Sequence, residues 1–354
     1  MLKVDYIIVG QGLAGTLLAH ELLEANQKVL IIDKPHPAMA SKVAAGLFNP
    51  VGVKRCIRSW NADVFLPFAI NRYRVLEKKL GVSFLKVRPI YRLFSNLENK
   101  QQWEIKCSNE NMDDYIGGFE PANSYSYLKD EYGGASISPA GNLRINIFLE
   151  ASRAFFQEQQ MLLSEEFDFD QLDVEEGIYK GIAAKKIIFC EGFRAVENPF
   201  FNWLPFAPTK GEVITIRIPD VKQMDKIISK GIFIMSLGNH LYLVGATFVR
   251  DDWSNEVTEQ GLASLKEKLT EILDVDYEIV ASRAGIRPTV RDRRPFLGTH
   301  PKHPKLAIFN GLGTRGVIQG PCLAADFNGF LTQGQKMGQN VDIQRYIRFF
   351  DPQY

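Results

Sequence analysis

Cysteine is scarce in this sequence. Four residues (Cys56, Cys107, Cys190, Cys322) stand among 354, with no Cys-x-x-Cys pair. That pattern argues against a disulfide framework or a zinc site and for reduced thiols. Histidine is also rare, five in all, and no two fall at metal-ligand spacing with a carboxylate, so no metal is expected. His300 and His303 lie in a Pro-Lys-His-Pro loop and are read as solvated. Charge of one sign is missing as well: the net value is +1, which gives no global reason to bind nucleic acid or membrane. No apolar run approaches the ~20 residues of a membrane span. The first residues, Met1-Leu2-Lys3-Val4-Asp5, lead straight into a strand-like run without a separate hydrophobic region, so no signal peptide and a cytoplasmic location are expected. Repeats and low-complexity tracts are absent. What remains, 45% apolar and 23% charged residues, is the composition of a globular chain with room for two domains.

The N-terminal stretch carries the strongest local signal. An apolar β-rich run, Tyr6-Ile7-Ile8-Val9, meets a glycine turn, Gly10-Gln11-Gly12-Leu13-Ala14-Gly15. A helical run follows with Leu17, Leu18, Leu22 and Leu23 at 3–4 spacing, then a second β-run from Lys28 to Ile32 that ends in Asp33. In that setting Gly-x-Gly-x-x-Gly reads as a dinucleotide fingerprint. Gly10 permits the tight turn, Gly12 the approach of a pyrophosphate, and Gly15 close packing of helix on strand. The helix N-terminus offers N–H donors and a positive dipole end to phosphates, and Asp33 suits the ribose hydroxyls. A βαβ unit whose glycines serve only a turn would share these letters, and the motif does not choose between FAD and NAD.

Beyond Asp33 the Lys34-Pro35-His36-Pro37 break excludes a helix or central strand. Asp63 to Leu80 reads as an amphipathic helix stopped at Gly81. Residues 82–137 change to short strands (Ser83–Val87, Ile90–Phe94) and glycine turns. From Gly141-Asn142 the chain enters a helix, Leu143 to Glu158, and the stretch from Lys185 to Gly192 is a buried-type strand ending at a glycine. Lys210 to Arg217 alternates like a strand, and Ile232–Met235 and Leu241–Val244 read as two more. Thr258 to Ile272 is an amphipathic helix. A strand from Lys305 to Phe309 then runs into Gly311-Leu312-Gly313-Thr314-Arg315-Gly316 and a last helix, Val317 to Leu331. The fold class expected is α/β, α+β overall: a Rossmann-like domain with a parallel sheet (1–81, 138–205 and 290–354) and an inserted, mainly antiparallel mixed-sheet substrate domain (82–137 and 206–289).

The second glycine turn has the same strand–turn–helix setting as the first. A flavin needs a helix N-terminus and N–H donors where negative charge collects in its reduced ring, whereas a nicotinamide does not. This turn favours FAD, although a plain helix-capping loop would also fit.

With these motifs in order, the chain resembles the D-amino-acid oxidase and glycine oxidase superfamily of FAD-dependent oxidoreductases. The resemblance covers nearly the whole chain. It rests on the first turn with Asp33, Ala44-Ala45-Gly46-Leu47, Cys190-Glu191-Gly192, Gly245-Ala246-Thr247, Ala284-Gly285-Ile286-Arg287-Pro288, Pro295-x-x-Gly298 and the last turn. Together with Gly320-Pro321-Cys322-Leu323-Ala324, that last turn is also similar to the FAD oxidase half of the bacterial bifunctional tRNA 5-methylaminomethyl-2-thiouridine enzyme.

The resemblance implies FAD, and with no Cys or His at the glycine turns it is expected to be bound non-covalently. It places Leu13 and Ala14 at the pyrophosphate, Asp33 and Lys34 at the adenosine, and Phe167 by the adenine. Ser41, Lys42, Ala45, Gly46, Leu47 and Phe48 would line flavin and pyrophosphate, with Gly192 also on the cofactor. Leu312, Gly313, Thr314, Arg315, Gly316, Val317 and Ile318 would cradle the isoalloxazine. On the reacting side it implies Arg287, Phe248, Phe233 and Thr314. Arg287 would pair with a substrate carboxylate, a role that suits a planar two-donor guanidinium; an Arg satisfied by backbone carbonyls is the alternative. Phe248 would form a pocket wall. Phe233 stands near a position where relatives carry a polar aromatic, which counts against a substrate as small as glycine.

The reaction implied is oxidation of a C–N bond in an amine or amino acid. Hydride passes from Cα to flavin N5, the imine is hydrolysed, and oxygen or another acceptor takes the electrons. Two alternatives stay open: an FAD oxidase acting on an aminomethyl-modified tRNA base, and a non-catalytic flavin-fold binding module. Arg283, Arg287, Arg291, Arg293, Arg294, Lys302 and Lys305 gather near one expected rim, either a solvated rim or a docking site for an anionic partner or RNA.

Overall fold

The computed structural model describes residues 2–34, 39–54, 56–110, 112–222 and 224–350; the Pro35-His36-Pro37 break lies outside them. The first strand, Leu2–Val9, is central in a parallel sheet. It pairs Tyr6 with Val29 of strand Val29–Ile32 on one side and Leu2 through Val9 with Ile182 through Phe189 on the other. Leu162–Leu163 extends the sheet beyond Val29–Ile32, and Leu306–Asn310 extends it beyond Ile182–Phe189. Phe296–Thr299 adds an antiparallel edge. Ile8, Ile31 and Ile188 are buried under helix residues such as Leu18, Leu22 and Leu323, and Ile7 and Ile187 on the other face against Tyr179, Phe201 and Leu204, so both faces are covered, which is why these strands read as continuous apolar runs. Helix Leu13–Glu24 is apolar nearly all round, as a helix enclosed between the sheet and the last helix, Gly316–Gln333, must be.

A second sheet is built from two stretches of chain. Ile90–Leu93, Ile116–Glu120 and Gly134–Ile137 join Thr209–Arg217, Ile227–Lys230, Ile232–Gly238, Leu241–Gly245, Val249–Arg250 and Glu278–Arg287. All its pairings are antiparallel except Ile227–Lys230 against Ile90–Leu93. Thr209–Arg217 is an interior strand, with Glu278–Arg287 on one side and Leu241–Gly245 on the other. Helix Glu259–Thr270 packs Leu265 and Leu269 against Ile214 and Ile216 of this strand.

Some local expectations change. Gly141 to Leu143 forms a strand, Gly141–Leu143, between Leu47–Phe48 and Leu85–Val87, and the helix begins only at Ile145. Apolar Leu143 alone does not separate the two periods. Cys56 and Cys107, far apart in sequence, bring their Sγ atoms to 3.3 Å as buried free thiols. His300 is not solvated: it is 4% exposed, ringed by Phe201, His303 and Phe350, and burial pushes its imidazole down to about 4. Its Nδ1 accepts the backbone N–H groups of Lys302 and His303, so it shapes the loop from within.

Candidate active site

Ligands of open α/β sheets bind beyond the carboxyl ends of the parallel strands. Here four such ends, at Val9, Ile32, Phe189 and Asn310, deliver Gly10, Asp33, Cys190 and Asn310 itself to one cleft of about 410 Å³. The second sheet closes it with Gly211, Val213, Phe233, Ala246, Gly285 and Arg287.

At one end lies the first glycine turn. Gly12 caps helix Leu13–Glu24 with no side chain bonded to the cap and no acid in the first turn, so the N-terminus faces the cleft bare. Gly15 lies off the cleft, where a Cβ would stand 2.0 Å from the Gly10 carbonyl oxygen; helix and strand can touch only because none is present. Asp33 Oδ1 accepts the Gln11 N–H at 2.9 Å, and Oδ2 pairs with Arg153 Nη1 at 2.7 Å. Arg153 also donates to Gln11 Oε1 and Ser164 Oγ. Lys34 pairs with Glu166 at 3.6 Å, and Arg194 with the same carboxylate at 2.5 Å. Phe167 lines the cleft and stacks on Tyr179 at 4.3 Å.

At the other end lies the second turn. Gly311 and Gly313 take φ of +76° and +53°, the left-handed region that glycine enters without strain. The last helix likewise starts without a side-chain cap or a first-turn acid. Leu312, Gly313, Thr314, Gly316 and Val317 line the cleft.

Arg287, at the end of strand Glu278–Arg287, reaches over Gly211, where a Cβ would lie 1.9 Å from Nη2. Nη1 donates to the Lys210 carbonyl at 3.1 Å and Nη2 to the Thr247 carbonyl at 3.2 Å. Among the described residues no carboxylate pairs with it, and burial alone lowers its pKa. Arg287 is thus held by backbone carbonyls and also lines the cleft. Phe233 lines the same region.

Most expected cofactor positions line this cleft: Gly10, Gly12, Leu13, Ala14, Asp33, Lys34, Ser41, Ala45, Gly46, Leu47, Phe167 and Gly192, besides the second turn. Several do not. Lys42 borders a separate groove with Arg283, because the short helix Ala40–Val43 turns successive side chains to opposite sides. Phe48 is packed in the core. Arg315 turns away to Asn49, donating to its backbone and side-chain oxygens, and Ile318 is buried within the last helix. Phe248 is no enclosed wall: it is 56% exposed, with the Arg287 guanidinium 5.8 Å from its ring. The basic residues do not form one rim. Arg287 lines the cleft, Arg283 the other groove, Arg294 covers Trp60 and Lys305 binds the Glu176 carbonyl.

Two residues at the site escaped the sequence reading. Arg153 carries no local signal, since its partner Asp33 is 120 positions away. Glu191 sits inside a quoted motif without an assigned role; it lines the cleft, accepts from Asn198 Nδ2 at 2.7 Å, and burial lifts its carboxyl to about 7.

The family of FAD-dependent oxidoreductases designated DAO matches residues 5–327. The chain belongs to that family. It is 22% identical over 345 residues to glycine oxidase of Bacillus subtilis strain 168, covering 91% of each chain. The crystal structure of glycine oxidase from Geobacillus kaustophilus superposes with a TM-score of 0.80 at 20% identity, covering 98% of each chain. The tRNA 5-methylaminomethyl-2-thiouridine biosynthesis bifunctional protein of Shewanella amazonensis is 29% identical over 194 residues, 42% of this chain and 29% of that one. Membership makes this protein an FAD-dependent oxidoreductase with a Rossmann-like cofactor domain. The residues present fit FAD: two uncapped helix N-termini, each opened by glycines without side chains to fill the cradle, face a single cleft. No described helix is long and apolar enough to cross a membrane.

Proposed function

We propose that this DAO-family protein oxidises the C–N bond of an amine that carries a carboxylate, an amino acid or N-substituted amino acid. The supporting observation is Arg287, a cation on the cleft wall whose hydrogen-bond partners among the described residues are neutral carbonyls. A substrate carboxylate would complete it through charge-assisted hydrogen bonds. Bound FAD supplies the two-electron acceptor for the hydride of the carbon beside the amine. The protein's own part is to orient and to exclude water. Gly211 leaves room for the guanidinium, while Val213, Phe233 and Ala246 provide apolar walls. Met39, Ala40, Val43, Gly285 and Arg287 complete that end and bring no side-chain base, so the amine reacts as the neutral form and the imine leaves to hydrolyse in water. In this reading the second sheet, with residues 82–137 and 206–289, is the substrate domain, and oxygen or another acceptor reoxidises the flavin.

Anaerobic mixing of the yellow protein with amino acids and N-alkyl glycines tests this. Bleaching by a carboxylate-bearing amine is expected. Bleaching only by an aminomethyl-modified tRNA would overturn it in favour of the Shewanella protein's chemistry, and no bleaching by any amine would defeat both.

A further inference from the structure

The two carbonyls that hold Arg287 belong to residues anchored by buried charge on the other face of the sheet. Side chains alternate along a strand: Thr209, Gly211 and Val213 point one way, Lys210 and Glu212 the other. Both of the latter are fully buried, in a strand whose sequence reads as half exposed. The Lys210 ammonium donates to Asp252 Oδ2 at 2.6 Å and Ser254 Oγ at 2.8 Å. Glu212 Oε2 accepts the Thr247 hydroxyl at 2.9 Å, and Oε1 accepts the Thr258 N–H and hydroxyl at 2.7 and 2.8 Å. The Thr247 hydroxyl in turn accepts the Glu212 N–H at 2.9 Å. Gly261, in the first turn of helix Glu259–Thr270, has no Cβ to displace this carboxylate. Thus Lys210 and Thr247 each offer a carbonyl to the guanidinium, and each has its side chain fixed from behind.

We propose that Lys210 and Glu212 are positioning residues: they fix the Lys210 and Thr247 carbonyls and thereby the aim of Arg287 at the substrate carboxylate. This rests on the substrate reading of Arg287. Packing alone does not call for such groups. Apolar residues of similar volume hold a sheet face under a helix as well as a buried ion pair does, often better. A satisfied buried polar network, by contrast, admits few alternative arrangements. The network ties the ends of the segment from Thr247 to Thr258, which carries exposed Phe248 beside Arg287, to the strand that bears Gly211.

The test uses the FAD-loaded protein and propionate, a carboxylate with no amine to oxidise, read by its perturbation of the flavin visible spectrum. Asp252→Asn and Lys210→Met are each expected to keep full flavin occupancy and to weaken propionate by about tenfold, the effect of degrading one hydrogen bond to a charged group. The double variant should lose no more than either single one, because both break one pair. Glu212→Gln, which keeps an acceptor for Thr258, should fall between these and the parent. Asp252 is partly exposed, so its variant gives an answer even where Lys210→Met does not fold. Unchanged propionate affinity in Asp252→Asn at full flavin occupancy overturns the proposal. Arg287→Ala separates the two readings. If it abolishes propionate binding while Asp252→Asn does not weaken it, only the positioning role fails; if it leaves binding intact, the anchor role fails and the positioning role with it.

Discussion

The two ends of the cleft differ in how their charges are met. At the expected adenosine end each cation has an acid: Arg153 has Asp33, while Lys34 and Arg194 share Glu166. At the expected substrate end Arg287 donates, among the described residues, only to backbone carbonyls. A neutralised surface can recognise a ligand by shape and by neutral donors and acceptors. An unneutralised, largely buried cation holds a potential worth about 4 kcal/mol to a unit anion at 4 Å in an effective dielectric near 20. On the proposed reading one end suits a nucleoside that stays, the other an anion that comes and goes.

Removing Arg287 attacks this contrast most directly. Arg287→Ala should keep its flavin and lose about 2–5 kcal/mol of carboxylate binding, the range for truncating one partner of a buried charge pair. The measure is the substrate dependence of anaerobic flavin reduction, and a variant reduced at the parent rate and affinity sinks the assignment. At the opposite end Gly15→Ala places a Cβ 2.0 Å from a backbone oxygen. Overpacking of this kind costs about 1–3 kcal/mol or more, so a lower melting temperature and a loss of FAD should appear together. Full FAD occupancy at unchanged stability would show that helix and strand can part there without harm to the site.

Arg153→Ala tests whether internal neutralisation matters at the adenosine end. It leaves the Asp33 side chain with the Gln11 N–H as its remaining partner among the described residues, and with freedom to turn from the expected ribose. The loss of a hydrogen bond between charged groups, about 1.5–3 kcal/mol, should weaken FAD by about 10- to 100-fold in a titration of the apoprotein. The rate of flavin reduction at saturating FAD should stay near the parent's. A parallel fall in substrate affinity would mean that the two ends are not separable.

The same contrast explains what the sequence discloses. Both glycine turns are legible because strand, turn and helix follow one another within thirty residues, and each letter answers a local steric need. Arg287 is legible through the motif around it. Arg153 is not, because helix Ile145–Glu158 meets Asp33 only after the chain has crossed the second sheet. Lys210 and Glu212 mislead in the opposite sense. Their alternation with Gly211 and Val213 indicates a strand with one wet face, and only the pairing on both sides and the covering helix bury them. Phe248 was placed by its neighbours Gly245-Ala246-Thr247, but the chain swings outward after Thr247 and leaves the ring at the mouth.

Glu191 offers the finest probe, since it breaks the pattern of neutralised charge at the cofactor end. Its Cα lies 3.4 Å from where a Gly10 Cβ would stand, against the turn expected to receive the pyrophosphate. Burial raises its carboxyl to about 7, outweighing the downward pull of Asn198 and Arg194. A folded-state value above the unfolded one means a protonated group favours the fold. That contribution is complete below the ordinary glutamate value of 4.5 and is lost as pH rises through about 7. A dianionic pyrophosphate beside the same group favours the proton further, so FAD affinity should fall as pH rises above about 7, where the FAD-free carboxyl loses its proton. The expected size is below about tenfold per pH unit, the limit for one proton. Titrating apoprotein with FAD at pH 6 and 8 measures it, and Glu191→Gln should flatten the dependence. A parent whose FAD affinity is the same at both values would place the Glu191 charge too far from the phosphates to matter.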